Sequence, residues 1–330
     1  MPANLTPQYL RAEELYRKAT SPEEKIELLQ EMLAIIPKHK GTDHLRGDLR
    51  KRLSEHKREA QQHKKKGARS ATLDKIDKEG AGQAALIGAP NSGKSSIVAT
   101  CTAATVQVAD FPFSTFKPVP GMMAYEDVQV QLVDLPPVSE EYTESWVFSI
   151  TRNADLVLLT VDLSQPAPEE QVFELSSLLE AKHLMLAGSR DLETPNLSIA
   201  VKPTLILATK CDTEEADAGL ASLQEAYGEE FPIFSLSVQT GHHLEEMPRR
   251  VFQALEVLRI YTKAPGKKPD LEQPYILPIG STVLDVAAAV HRDIAENLRF
   301  ARIWGSEKYE GQQVKRDHVV EDRDILELHG

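Results

Sequence analysis

The feature that most constrains this chain is the stretch at residues 84–96, AALIGAPNSGKSS, an apolar strand-like run that empties into a loop with the spacing G-x-x-x-x-G-K-S. Gly88 and Gly93 permit backbone conformations that a side chain blocks. With Ala89, Pro90, Asn91 and Ser92 between them, the loop can turn its backbone amides inward around an anion. Lys94 supplies a point charge to the outer phosphates of a nucleotide, and the Ser95 hydroxyl is placed to ligate Mg²⁺. Ser96 carries the chain into a helix whose positive N-terminal end faces the same anion. This strand–loop–helix is read as a phosphate-binding loop.

The surrounding pattern fits an α/β domain. Apolar strand candidates at 84–87, 128–133, 156–161, 204–208 and 233–236 alternate with helical stretches at 94–100, 168–184, 214–227 and 244–257. Such alternation implies βαβ units and a mostly parallel sheet, with ligands at the carboxyl ends of the strands. Residues 1–67 read as helical, with Ser21-Pro22-Glu23-Glu24 forming an N-cap signal. After Val257 the pattern becomes a strand, a Pro/Gly/Lys loop, a second strand, a helix near 282–298 and short strands, a small α+β module. The expected division is a helical segment at 1–67, a nucleotide-binding domain at 68–256 and the α+β module at 257–330.

Composition removes several classes of function. No apolar run approaches the ~18 residues that span a membrane, and the N-terminus lacks the apolar core of a signal peptide. Cys101 and Cys211 are the only cysteines, too few for a disulfide framework, so a reducing cytoplasm is the expected compartment. A net charge of −12 argues against wholesale coating of nucleic acid, and no readout of DNA sequence is expected. Residues 37–67 nevertheless carry far more Lys and Arg than acids. That segment is either an arm facing RNA or a ribosome, or a solvated helical face. His242 and His243 lack a partner at metal-ligand spacing and are expected at the surface.

The base is read elsewhere. The strand at 204–208 runs into Thr209-Lys210-Cys211-Asp212. A carboxylate at Asp212 can accept both hydrogen bonds from the N1–H and amino group of guanine, whereas adenine offers no matching pair of donors. Lys210 is expected to pack along the base or to brace the phosphate loop. One strand later, Ser237-Val238 can present an amide to the guanine carbonyl. Two switch candidates lie between: Phe113-Ser114-Thr115, whose threonine could close on Mg²⁺, and Asp134 at the end of the strand at 128–133, which could hold the ion through water.

In GAPNSGKS, DFPFSTFKPVPG, VDLP, TKCD and SVQTG the chain resembles the Obg-related GTPases, and within them the developmentally regulated GTP-binding (DRG) proteins. The segments RIYTKAPGKKPD, ILPIGSTVLDVAAAVHRDI and FARIWG are similar to a TGS domain, a ubiquitin-like β-grasp module. The resemblance implies binding of GTP and GDP, Mg²⁺, a cytoplasmic location, and association with ribosomes or RNA through residues 37–67 and the TGS domain, with a regulatory protein as a further partner. DRG proteins also carry an insertion in the GTPase domain, for which residues 184–201 are too short. Asn91 matches an asparagine that helps hold K⁺ in several related GTPases; its alternative role is to stabilise the tight turn.

One departure bears on rate. The family pattern D-x-P-G is here Asp134-Leu135-Pro136-Pro137, and Pro137 lacks the amide that normally donates to the γ-phosphate. Losing one charge-assisted hydrogen bond costs on the order of 1.5–3 kcal/mol. Val138 is apolar where Ras-like enzymes place a water-orienting glutamine. The leading expectation is therefore a slow, K⁺-assisted GTPase switch. The alternatives are a GTP-sensing module with little hydrolysis, and an RNA-binding adaptor.

Overall fold

The computed structural model describes Met32 and residues 76–102, 118–139, 143–190, 198–306 and 309–330. The basic segment at 37–67 and the switch residues Phe113, Ser114 and Thr115 lie outside the described residues. Residues 75–330 form one compact unit. No helix among the described residues is long and apolar enough to cross a membrane.

The first sheet grows from strands too apolar to face water. β1 (Gln83–Gly88) and β4 (Leu156–Asp162) are buried at every position, as fits central strands covered on both faces. They lie side by side and parallel, flanked by β3 (Val128–Asp134) and β6 (Ala200–Thr209), also parallel. At one edge β2 (Val119–Tyr125) pairs antiparallel with β3. At the other, β5 (Leu184–Ala187) and β7 (Ile233–Leu236) share the two halves of β6. The helices are α1 (Lys94–Cys101), α2 (Ser145–Asn153), α3 (Pro168–Glu180), α4 (Ala216–Tyr227) and α5 (Met247–Ala254). One core joins Leu86, Leu132, Leu158 and Leu207 of the strands to Ile97 of α1 and Val251 of α5.

The C-terminal strands form a second, mixed sheet in the order β11-β10-β12-β8-β9. Its strands are β8 (Val257–Thr262), β9 (Asp270–Pro278), β10 (Phe300–Trp304), β11 (Gln312–Val314) and β12 (Ile325–His329). A single helix over 282–298 is not what forms. The chain makes α6 (Val283–Val290) and then α7 (Arg292–Asn297), broken at His291, which is extended at φ −166° and whose ring accepts from the Asp293 amide. A Thr282–Asp285 capping box starts α6, and Val283, Val286 and Ala287 anchor it on Ile260, Ile303 and Leu326. Likewise α3 stops at Glu180, short of the expected end at 184, and Leu184 instead begins β5.

The two sheets meet through Arg259 of β8. Its guanidinium, 2% exposed, pairs with Asp322 at 2.6 Å, with Asp127 at 2.7 Å, and with Glu126. Glu126 and Asp127 form the turn between β2 and β3. The Tyr261 hydroxyl also donates to Asp127, and Arg323 pairs with Glu126. The guanidinium lies over the Phe252 ring at 4.9 Å.

Candidate nucleotide-binding site

The phosphate loop joins β1 to α1. Its first glycine is forced by proximity: a Cβ on Gly88 would sit 2.1 Å from the Thr160 hydroxyl and 2.6 Å from the Thr160 carbonyl of β4. Its second is forced by backbone, since Gly93 has φ 92° and an added Cβ would meet nothing closer than 3.8 Å. Asn91, exposed at the loop tip, also takes the left-handed region at φ 60°, which asparagine tolerates better than most residues. Neighbouring strands brace the loop. The Thr209 hydroxyl at the end of β6 lies 3.0 Å from the Ser92 carbonyl, and Ser92 Oγ lies 2.7 Å from Thr160 Oγ1.

Lys94 turns back into this loop. Its ammonium, in a residue only 5% exposed, donates to the Gly88 carbonyl at 3.0 Å, the Ala89 carbonyl at 2.7 Å and Ser92 Oγ at 3.3 Å. All three acceptors are neutral. Burial consequently lowers its pKa to about 8, against the opposing charge of Asp134. A cation hydrogen-bonded only to neutral dipoles is well placed to gain from an incoming anion.

Asp134, the last residue of β3, stands beside it. Ser95 Oγ donates to Asp134 Oδ2 at 2.6 Å, while Oδ1 is buried with no hydrogen-bond partner among the described residues. Burial raises the carboxyl's pKa, opposed by the Ser95 bond and the Lys94 charge. An orphaned carboxylate oxygen next to a serine hydroxyl is a hard-oxygen donor set, which fits Mg²⁺. Beyond it, Leu135 and Val138 are buried and Pro137 is exposed. The Val138 amide reaches the Gly88 carbonyl at 3.4 Å, so the segment after Asp134 rests on the phosphate loop one residue past the proline.

The third corner lies at the ends of β6 and β7, where Thr209 pairs in register with Leu236. Lys210 follows at φ 58° and places its ammonium 2.6 Å from Asp162 Oδ2 at the end of β4. Burial pushes the Asp162 carboxyl up, but bonds from Lys210 and Ser164 outweigh it and hold it below its usual value. Asp212 is exposed in the turn beyond. Ser237 is fully buried, its hydroxyl accepting from the Thr240 amide at 3.2 Å, and Val238 packs against the core.

Thr209 braces the phosphate loop, and Lys210, expected to pack along the base or to brace that loop, pairs with Asp162. Sequence reasoning passed over Thr160 and Asp162; Asp162 had a signal, since LTVDLS ends its strand in the same V-D-L as QLVDLP does at Asp134. His243, expected at the surface, is half-buried and bonds the Ser235 carbonyl through Nδ1 at 2.9 Å.

The chain around these corners is similar to known proteins. A family described as 50S ribosome-binding GTPases matches residues 83–188, and the TGS domain family matches residues 258–329. A GTP-binding protein of Methanocaldococcus jannaschii is 28% identical over 93% of this chain and 92% of its own length. Developmentally-regulated GTP-binding protein 1 of Xenopus laevis is 23% identical over 92% of this chain and 98% of its own length. The chain joins a GTPase domain to a TGS domain and is similar to the Obg-related, DRG-like GTP-binding proteins. The YchF GTPase of Schizosaccharomyces pombe shares the fold of this DRG-like protein, at 13% identity, over 77% of this chain and all of that one, with a TM-score of 0.51. The DRG-like protein thus carries a GTPase domain on its parallel sheet and a TGS domain on its mixed one. A role as a mere GTP sensor is not favoured.

Proposed function

We propose that this DRG-like protein is a slow, Mg²⁺-dependent GTPase switch that works at the ribosome or on RNA in the cytoplasm. The observation that carries the reading is the convergence of Lys94, the Ser95–Asp134 pair and the Asp212 turn at the carboxyl ends of adjacent parallel strands. In this reading residues 88–96 cradle the phosphates and Lys94 engages the outer ones. Ser95 and Thr115 ligate Mg²⁺, with Asp134 acting through water; the ion, when bound, neutralises charge on the β- and γ-phosphates. Asp212 selects guanine, and Ser237-Val238 support the base.

Asn91 offers an amide oxygen to K⁺ beside the phosphates. Pro137 withholds a donor from the γ-phosphate, which accounts for slow turnover, and a regulatory protein is the natural source of missing catalytic groups. Functional boundaries are placed at 67/68 and 256/257, with residues 37–67 and the TGS domain facing RNA or the ribosome. This last element is supported by the basic arm and by the ribosome-binding description of the matched family.

The test is GTP turnover by the purified protein in KCl and in NaCl, with Lys94→Ala as the blank. Turnover above the blank that rises in KCl is expected. Binding of GTP without turnover in either salt would sink the enzymatic reading and leave the nucleotide assignment standing.

A further inference from the structure

At the opposite end of the parallel sheet lies a cavity of about 210 Å³, lined by Lys78, Ala154, Asp155, Arg190 and Lys202 among others. Lys202 is the third residue of β6, seven before Thr209. At ~3.3 Å per residue this puts it on the order of 23 Å from the phosphate loop. It is therefore independent of the nucleotide site.

The charges there do not balance. Lys78, Arg190 and Lys202 line the cavity and Arg152 stands near, against one carboxylate, Asp155. That carboxylate is already committed: Oδ1 pairs with Lys78 at 2.5 Å, and Oδ2 accepts from the Gln83 amide at 3.0 Å. Arg152 gives a guanidinium hydrogen to the Lys182 carbonyl at 2.7 Å. Lys202 donates to the Ala154 carbonyl at 2.8 Å, and neither its ammonium nor the Arg190 guanidinium pairs with a carboxylate among the described residues, although the Arg190 backbone amide donates to Glu256 Oε2 at 3.2 Å. Half-buried, Lys202 pays desolvation first and then the like charge of Lys78, Arg190 and Arg152, with Asp155 in opposition, so that its pKa falls to about 8. Among the described residues the cations gathered here outnumber the carboxylates that could offset them. The volume admits a small oxyanion with some water but falls short of the ~300–1,000 Å³ typical of larger organic ligands.

We propose that this cavity is an oxyanion site that takes one phosphate group between Lys202 and Arg190, supplied by free phosphate or by the backbone of a single RNA strand. Both sources present the same tetrahedral anion, to which Arg190 can offer a fork and Lys202 a point charge.

The experiment uses the full chain loaded with GDP and Mg²⁺, so that the phosphate loop is filled. Inorganic phosphate is titrated by calorimetry, and a short labelled single-stranded RNA by anisotropy at low salt, against wild type, Arg190→Gln and Lys202→Gln. Arg190 sits at the rim, so its variant is expected to keep the fold even if loss of Lys202 disturbs β6. The expected result is about a tenfold loss of affinity in each variant, with GDP affinity unchanged. Loss for phosphate alone identifies a free anion as the ligand; loss for RNA, with phosphate competing, identifies the strand. Wild type that binds neither probe, or variants that bind both as wild type does, overturn the proposal. Failure of GTP turnover leaves it untouched, because its readout does not pass through the nucleotide.

Discussion

Lys94 and Arg259 are both almost wholly buried, at 5% and 2% exposure, yet their surroundings are opposite. Arg259 is ringed by Asp322, Asp127 and Glu126, which together raise its affinity for its proton. Lys94 has two carbonyls and a hydroxyl, and burial lowers its affinity. A buried charge surrounded by its full complement of counter-charges is a joint, and removing either side leaves the other stranded. A buried charge hydrogen-bonded only to neutral dipoles, with a single carboxylate nearby, contributes little to the fold and is poised for an anion from outside. The same distinction separates structural from ligand-binding cations without reference to any motif.

The largest effect expected from that contrast is on stability. Arg259→Met removes the guanidinium shared by three carboxylates, and since these are partly exposed and two keep another partner the cost should lie near the low end for broken buried pairs, about 3 kcal/mol by chemical denaturation. Lys94→Met should instead change stability by less than about 1 kcal/mol while weakening GDP binding by roughly a hundredfold, measured with a fluorescent nucleotide. If both variants unfold alike, the distinction fails.

Asp212→Ala should weaken guanine nucleotides by about ten- to a hundredfold, the value of a charged hydrogen-bond pair, and leave stability unchanged because Asp212 is exposed in its turn. Equal affinity for GTP before and after would remove the base assignment.

A smaller effect concerns acid. Arg259 first, then Arg323, hold the Glu126 carboxyl low; burial pushes Asp127 and Asp322 up, but the hydrogen bonds of Tyr261 and Arg259 at the first and of Arg259 at the second outweigh it. Carboxyls depressed in the folded state bind fewer protons than in the unfolded chain. Their stabilisation is therefore complete above about pH 4, the unfolded value, and is lost as pH falls through the lower folded values. Denaturation midpoints of wild type between pH 5 and 2.5 should fall more steeply than those of Arg259→Met. The smallest change tests the proline: Pro137→Gly should raise GTP affinity over GDP by up to about tenfold, since it restores a donor.

The nucleotide end of the molecule was legible because its chemistry is local in sequence. Gly88 to Ser96 are contiguous, and TKCD follows a single strand. What stayed hidden depends on contacts between distant segments. Thr160 and Asp162 matter only because β4 lies between β1 and β6. β2 carries Pro120 and Gly121, which argue against a strand, yet it forms at a sheet edge where such residues are tolerated. The helix expected over 282–298 contains no proline or glycine to announce its break, which comes from His291 capping α7. The Arg259 joint links residues more than 130 positions apart, and no pattern within β8 betrays it.

Pro136 and Pro137 have a consequence for how the switch can be watched. Neither carries an amide hydrogen, so backbone hydrogen exchange and amide-detected NMR are silent between Leu135 and Val138. The first proton able to report on this segment is that of Val138, and it points at the carbonyl of Gly88, where the phosphate loop begins. A nucleotide that lifts the segment away leaves its mark on that resonance, while Pro136 and Pro137 stay dark to the method.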